Sequence, residues 1–300
     1  MGRKLLILLG PTAVGKTDYS LSLAQQYGSP IISCDSRQIY REMRIGTAVP
    51  SDAQLAAVRH YFIQTVSVKD YYTAGIYETE ALAFIRRLFD EGHETLVMTG
   101  GSMFYIDAVC NGLSGVPTAD LGFREELRRR AEAEDPGWLA RELERLDPEA
   151  YRTMDLSNRQ RLFRAVEICL WTGQPYSSFK PEMPAVRDFE IEKIGLMRPR
   201  EEIYARIDRR VLQMMDDGLL EEVRSLLPYR DCTALQTVGY TELFDYLDGK
   251  TSLDEAVRLI QRNTRHYAKR QLSWWRRDPS IRWIEATEAE TFAGVSTPGH

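Results

Sequence analysis

Eight residues, Gly10 to Thr17, read "GPTAVGKT" and match G-x-x-x-x-G-K-[ST]. The chemistry open to that spacing is anion binding. The loop of Gly10, Pro11, Thr12, Ala13, Val14 and Gly15 can wrap a di- or triphosphate with successive backbone N–H groups. A helix starting behind it adds positive potential, and Lys16 adds a point charge. The Thr17 hydroxyl sits where a phosphate oxygen, or a Mg²⁺ ion held by the phosphate, is expected. A second chemistry-bearing residue is Asp35, in the run "SCDSRQIY". It is either a carboxylate in a ligand crevice or only the cap of a turn; spacing alone leaves both open.

These residues need particular elements behind them. Leu5, Leu6, Ile7, Leu8 and Leu9 form an apolar run before the loop, and Ser20, Leu21, Leu23 and Ala24 follow in a helix-compatible segment. Strand, Gly-rich turn and helix is the setting that gives the motif meaning, whereas a chance match needs neither flank. Further strands are expected at 30–34, near 61–66, at 95–99 and at 189–197, with helices at about 16–27, at 73–91 and from Met103. Continuous apolar strands alternating with helices imply an α/β fold, a parallel sheet covered by helices on both faces. The stretch "GLSGVPTAD" (112–120) then breaks the pattern, and from Leu121 to Thr172 the spacing is helical, with Asn158 and Gly173 suited to cap one helix. The expected organisation is a core of 1–115 and 188–290 with C-terminal helices, a helical insertion at 116–187, and a disordered tail at 291–300.

Phosphate-loop ATPases carry an acid at the end of a second core strand to hold Mg²⁺ and orient water. Here the strand at 95–99 runs into "TGGS" with no Asp or Glu. Asp35, expected at the carboxyl end of the strand 30–34, lies where parallel sheets bind their ligands.

Composition excludes several classes. Four cysteines and four histidines are scattered without a C-x-x-C pair, so neither a zinc site nor a disulfide framework has support. The opening "MGRKLLILLG" has a basic start, but its five-residue apolar run leads straight into the loop without a cleavage site. It reads as the first strand of a cytoplasmic, non-membrane protein, expected as a monomer. The net charge is −5, yet Arg258, Arg262, Arg265, Lys269, Arg270, Arg276, Arg277 and Arg282 face only Asp278 in their segment, a local +7 that leaves −12 elsewhere. Local potential steers a polyanion, and Trp274 and Trp275 nearby suit stacking on unpaired bases.

Six blocks, "GPTAVGKT", "ISCDSRQIYREMRIGTA", "TGGSMFYIDAV", "NRQRLFRAVEI", "RPREEIYARIDRRV" and "YAKRQLSWWRR", together resemble the bacterial tRNA dimethylallyltransferases, in the family's order, from Leu5 to about Arg277. The resemblance implies transfer of a dimethylallyl group from dimethylallyl diphosphate to N6 of adenine 37 in tRNA, with Mg²⁺. Asp35, Lys16 and Thr17 are then the catalytic residues, and Gly10 to Thr17 with Arg210 hold the diphosphate. Asp35, Ser36, Arg37, Gln38, Ser102, Arg124, Gln160, Arg161, Leu162, Phe163 and Arg164 are implied as the tRNA-binding positions. Taken as residues alone, Arg124 and Arg161 read equally as solvated helix charges. Arg198 and Arg210 are weaker candidates for the diphosphate, Arg198 being open to a salt bridge with Glu201 or Glu202. The chain has His60 where many members carry two adjacent histidines. Rival readings are the same chemistry on free AMP, a small-molecule kinase, and a nucleotide-dependent RNA-binding switch.

Overall fold

The computed structural model describes residues 2–113, 117–179 and 185–286 of the 300; the expected tail at 291–300 lies outside them. The chain divides into two compact units, one of Met1–Cys110 with Val186–His300, the other of Asn111–Ala185. The second unit begins at Asn111, the last residue of the helix that precedes the Gly- and Pro-rich stretch.

The first unit is built on six strands: β1 (Lys4–Leu9), β2 (Ile31–Ser33), β3 (His60–Tyr61), β4 (Thr95–Thr99), β5 (Glu190–Met197) and β6 (Ile281–Glu285), in the order β3-β2-β4-β1-β5-β6. Every pairing is parallel. β1 lies between β4 and β5 and is buried from Leu5 to Leu9, which is why it reads as one apolar run rather than an alternation. The helices of this unit are α1 (Lys16–Tyr27), α2 (Asp52–Ala57), α3 (Ala74–Asp90) and α4 (Met103–Asn111). Leu5, Ile7 and Leu9 face a core with α3 and α4, while Leu6 and Leu8 face the other side with Leu23 of α1. Both faces are therefore covered.

The expected strand at 61–66 stops after Tyr61, apart from a single bridge between Tyr40 and Val66. Phe62 and Gln64 take left-handed backbone angles (φ 62° and 53°), which a strand cannot contain. β6 was not anticipated.

The second unit contains α5 (Leu121–Ala133), α6 (Trp138–Leu146), α7 (Pro148–Thr153) and α8 (Arg159–Thr172). Asn158 caps α8 through Arg161 N–H, and Gly173 ends it in the left-handed conformation. Its core includes Trp138, Leu143, Leu162 and Val166. The chain then returns to the first unit and adds α9 (Arg200–Asp216), α10 (Leu219–Ser225), α11 (Thr241–Leu247) and α12 (Leu253–Trp275). These pack a second core of the first unit around Ile39, Met43, Ile207, Tyr240 and Ile260.

Parallel register sends the loops after β1, β2 and β4 to one edge of the sheet. The wall of that edge, residues 44–48, is clamped from α10. The Glu222 carboxylate accepts the N–H groups of Arg44 (2.9 Å), Ile45 (2.7 Å) and Gly46 (3.0 Å) and the Tyr240 hydroxyl (2.7 Å). Glu222→Ala strands four donors at once, so urea denaturation followed by tryptophan fluorescence should show a loss of about 2–3 kcal/mol. A loss below about 0.5 kcal/mol, the scale of an ordinary surface change, would mean that water replaces the clamp.

Candidate active site

A cavity of about 290 Å³ opens at that edge, lined by residues of the first unit alone. Thr12, Ala13, Gly15, Lys16 and Thr17 form one wall, Asp35 and Gln38 another, and Gly100 and Gly101 a third. Gly10, Pro11 and Val14 of the phosphate loop do not line it; they shape the turn. At Gly10 (φ +151°) a Cβ would stand 2.8 Å from the Leu196 carbonyl oxygen on the neighbouring strand, so the tight exit from β1 needs glycine. Helix α1 starts behind Gly15 without a side-chain cap, leaving its first N–H groups to an anion.

Three cations reach this cavity: Lys16, Arg206 and Arg210. Backbone oxygens hold two of them. Lys16 Nζ donates to Gly10 O (2.8 Å) and Pro11 O (2.9 Å), and Arg206 Nε donates to Ala13 O (2.7 Å). Arg210 Nη1 lies 3.5 Å from the Thr12 hydroxyl. Among the described residues none of the three forms an ion pair, whereas Arg198 pairs with Glu202 (2.6 Å) and donates to Val14 O. Arg198 thus braces the loop from behind. Burial and then the Arg210 guanidinium pull the Lys16 ammonium down to about 8, against the attraction of Asp35. Burial and the neighbouring Arg206 lower Arg210 as well, opposed by Asp18.

Asp35 lines the cavity and also caps a turn. Oδ1 accepts the N–H groups of Arg37 (2.8 Å) and Gln38 (3.2 Å), as a turn cap does. Oδ2 makes no hydrogen bond among the described residues and lies on the side of Gly101. Ser36 N–H donates to Ser102 Oγ (2.7 Å), which ties the Asp35 loop to the turn after β4. That turn carries no acid, as the sequence indicated. Arg37 and Gln38 have internal partners: Arg37 Nη1 donates to Ala234 O (3.0 Å), and Gln38 Nε2 donates to Thr47 O and Ala48 O.

The remaining sequence-derived positions belong to the second unit. Arg124 and Arg164 both meet Glu167, a fully buried carboxylate, and Arg164 also donates to Pro117 O (3.1 Å). Gln160 and Arg161 are exposed, Phe163 is half-buried, and Leu162 is packed in the core, where its side chain cannot meet a ligand. Glu167 was not singled out, although it stands three residues after Arg164. Arg206 also escaped notice, as did Tyr267 and Gln271, which line the cavity from α12, far along the chain from the loops they meet.

The basic tail is less charged than its own segment suggests. Arg258 pairs with Glu255, Arg265 with Asp208 and Arg282 with Glu192, all acids outside the 258–282 window. Arg262, Lys269, Arg270, Arg276 and Arg277 remain exposed. Trp275 is buried core, and Trp274 donates its indole N–H to Asp107 (2.9 Å).

A polyanion entering beside Lys16 favours its charged form, so above pH 8 binding must draw in a proton. The affinity for inorganic diphosphate should therefore fall above pH 8, tending to about tenfold per pH unit, with proton uptake visible by titration calorimetry in two buffers. Lys16→Arg, charged throughout, should retain only the dependence due to diphosphate itself; an unaltered pH profile in that variant would refute the assignment.

Residues 38–278 match the family model described as IPP transferase. tRNA dimethylallyltransferase 1 of Bacteroides thetaiotaomicron is 49% identical over 96% of this chain and 92% of its own. tRNA dimethylallyltransferase 2 of Porphyromonas gingivalis is 52% identical, covering 93% of each chain. Among solved structures, the full-length tRNA isopentenylpyrophosphate transferase of Bacillus halodurans superposes with a TM-score of 0.68 at 33% identity, covering 97% of this chain and 95% of that one. A eukaryotic dimethylallyltransferase acting on tRNA reaches 0.80 at 23% identity over 98% of this chain and 77% of its own, a likeness of fold. On the extent of the model match and the identity to these relatives, the chain belongs to the IPP transferase family.

Proposed function

We propose that this protein transfers a dimethylallyl group from dimethylallyl diphosphate to N6 of adenine 37 in tRNA, releasing diphosphate. The observation that carries the reading is one cavity shared by three cations that form no ion pair, and an aspartate with one oxygen making no hydrogen bond, among the described residues. The diphosphate sits on the loop amides, Lys16, Thr17, Arg206 and Arg210. As the allylic C–O bond breaks, its electron pair stays on diphosphate, where fixed positive charge is stabilising. The N6 lone pair, delocalised into the ring, then bonds to the allylic carbon while Asp35 Oδ2 takes the N6 proton. The absence of an acid after β4 keeps a water from being activated beside the allylic cation.

Mg²⁺ fits this site mainly through the substrate. Among the described residues no group of three or more His, Cys, Asp or Glu side chains could hold an ion, so its oxygens would come from Thr17 and the diphosphate. There it would supply further charge to the leaving group.

The tRNA is held by Ser36, Ser102 and the Arg124, Gln160, Arg161, Phe163 and Arg164 surface of the insertion, with the exposed cations of α12. Adenine 37 must leave its stack to reach Asp35, at a cost of a few kcal/mol that phosphate contacts offset. No helix among the described residues is long and apolar enough to cross a membrane. On this reading the enzyme works in the cytoplasm with its tRNA, as a single chain.

Mass analysis of an anticodon stem-loop incubated with enzyme, Mg²⁺ and dimethylallyl diphosphate should show one added C5H8, without ATP. Equal prenylation of AMP would favour the free-nucleotide reading instead. Asp35→Asn should leave diphosphate affinity near wild type and lower kcat by about 10²-fold or more, the scale of a lost general base; retained turnover would remove Asp35 from the proton transfer.

A further inference from the structure

We infer that Gln271 is a positioning residue that sets the spacing between the donor's leaving group and the Asp35 carboxylate. The inference rests on the transferase reading above. Gln271 is 1% exposed, and both ends of its amide are engaged. Oε1 accepts the Thr12 N–H (2.9 Å), on the phosphate loop after β1. Nε2 donates to Gly101 O (2.7 Å), on the turn after β4. One helical turn earlier, the Tyr267 hydroxyl donates to the same carbonyl (3.1 Å). The turn continues into Ser102, whose Oγ accepts from Ser36 N–H and donates to Ser36 Oγ (2.8 Å), next to Asp35. A single planar amide thus links the loop that holds the leaving group to the turn that holds the base.

The fit leaves no slack. A Cβ on Gly101 would stand 2.7 Å from Gln271 Nε2, so the amide reaches the turn only over bare backbone. The Thr12 N–H is directed at Gln271, which leaves the anion to the other loop amides and the three cations. No charge is added to the cavity by this tie, as a Lys or Glu there would add.

The consequence is a matter of partition. An allylic cation formed at the wrong distance from N6 meets water instead. Water's oxygen bonds to the allylic carbon, the C–O electron pair leaves on diphosphate, and a proton is released, giving dimethylallyl alcohol. Spacing thus decides not only the rate but where the group goes.

Gln271→Met keeps the volume and removes both hydrogen bonds. With an anticodon stem-loop, kcat per folded enzyme should fall about 10- to 100-fold, the cost of a misplacement on the ångström scale. The KM of each substrate should stay within about threefold, because each half-site survives. Diphosphate released per prenyl group transferred should rise above one, with the alcohol accounting for the excess. A merely structural residue would lower the melting temperature and leave that ratio at one. Gln271→Asn, one methylene too short to bridge, should move the ratio the same way and serves if the Met variant does not fold. Wild-type kcat and a ratio of one in a folded variant overturn the inference. Failure of the wild type to prenylate the stem-loop would instead defeat the transferase reading.

Discussion

Positive charge held partly away from water, with no carboxylate in ion-pair contact among the described residues, is the constraint around which this molecule is arranged. Lys16, Arg206 and Arg210 converge on one loop, and the charged forms of Lys16 and Arg210 are both disfavoured by burial. Such charge is costly unless other groups solvate it. Carbonyl oxygens of Gly10, Pro11 and Ala13 do so for Lys16 and Arg206, without neutralising them. The loop can offer those oxygens because glycine lets it leave β1 sharply, at the end of a strand buried from Leu5 to Leu9. Glutamates act around it: Glu202 restrains Arg198 behind the loop, and Glu222 holds Arg44, Ile45 and Gly46. The site is electrically unbalanced because its supports are balanced.

The same separation runs through the second unit in a different form. There Glu167 is fully buried and is shared by Arg124 and Arg164. Two guanidinium groups share one carboxylate, so the geometry of the cluster is set from inside. A buried charge of this kind contributes little to stability but strongly restricts where its partners can lie.

Much of this was legible in the sequence wherever the information was local. The phosphate loop is eight consecutive residues between an apolar run and a helix, so motif, position and flanks all agree. Asp35 was readable as an acid at a strand end, though not that one oxygen would cap the turn and the other remain open. What failed was whatever depends on distant chain. Gln271 and Tyr267 meet residues more than a hundred and fifty positions away, and nothing in their own neighbourhood marks them. Glu167 reads as an ordinary helix charge until the opposite side of α8 is known to be core. The local excess at 258–282 was overestimated because its neutralising acids come from α9, β5 and the start of α12. β6 follows an Arg-rich segment and was missed because a five-residue edge strand has little pattern of its own.

The contact between Gly101 and Gln271 also has a bearing on how such a chain can change over generations. A larger residue at 101 collides with the amide as long as glutamine stands at 271, and an apolar residue at 271 leaves the Thr12 N–H without its partner and the Gly101 carbonyl with the Tyr267 hydroxyl alone. Neither position can drift alone without a defect, so the two form an epistatic pair. Any viable route to another pairing must pass first through a smaller or apolar residue at 271, with a compensating donor arriving from elsewhere. The order of substitutions is therefore asymmetric: the helix must yield before the turn can.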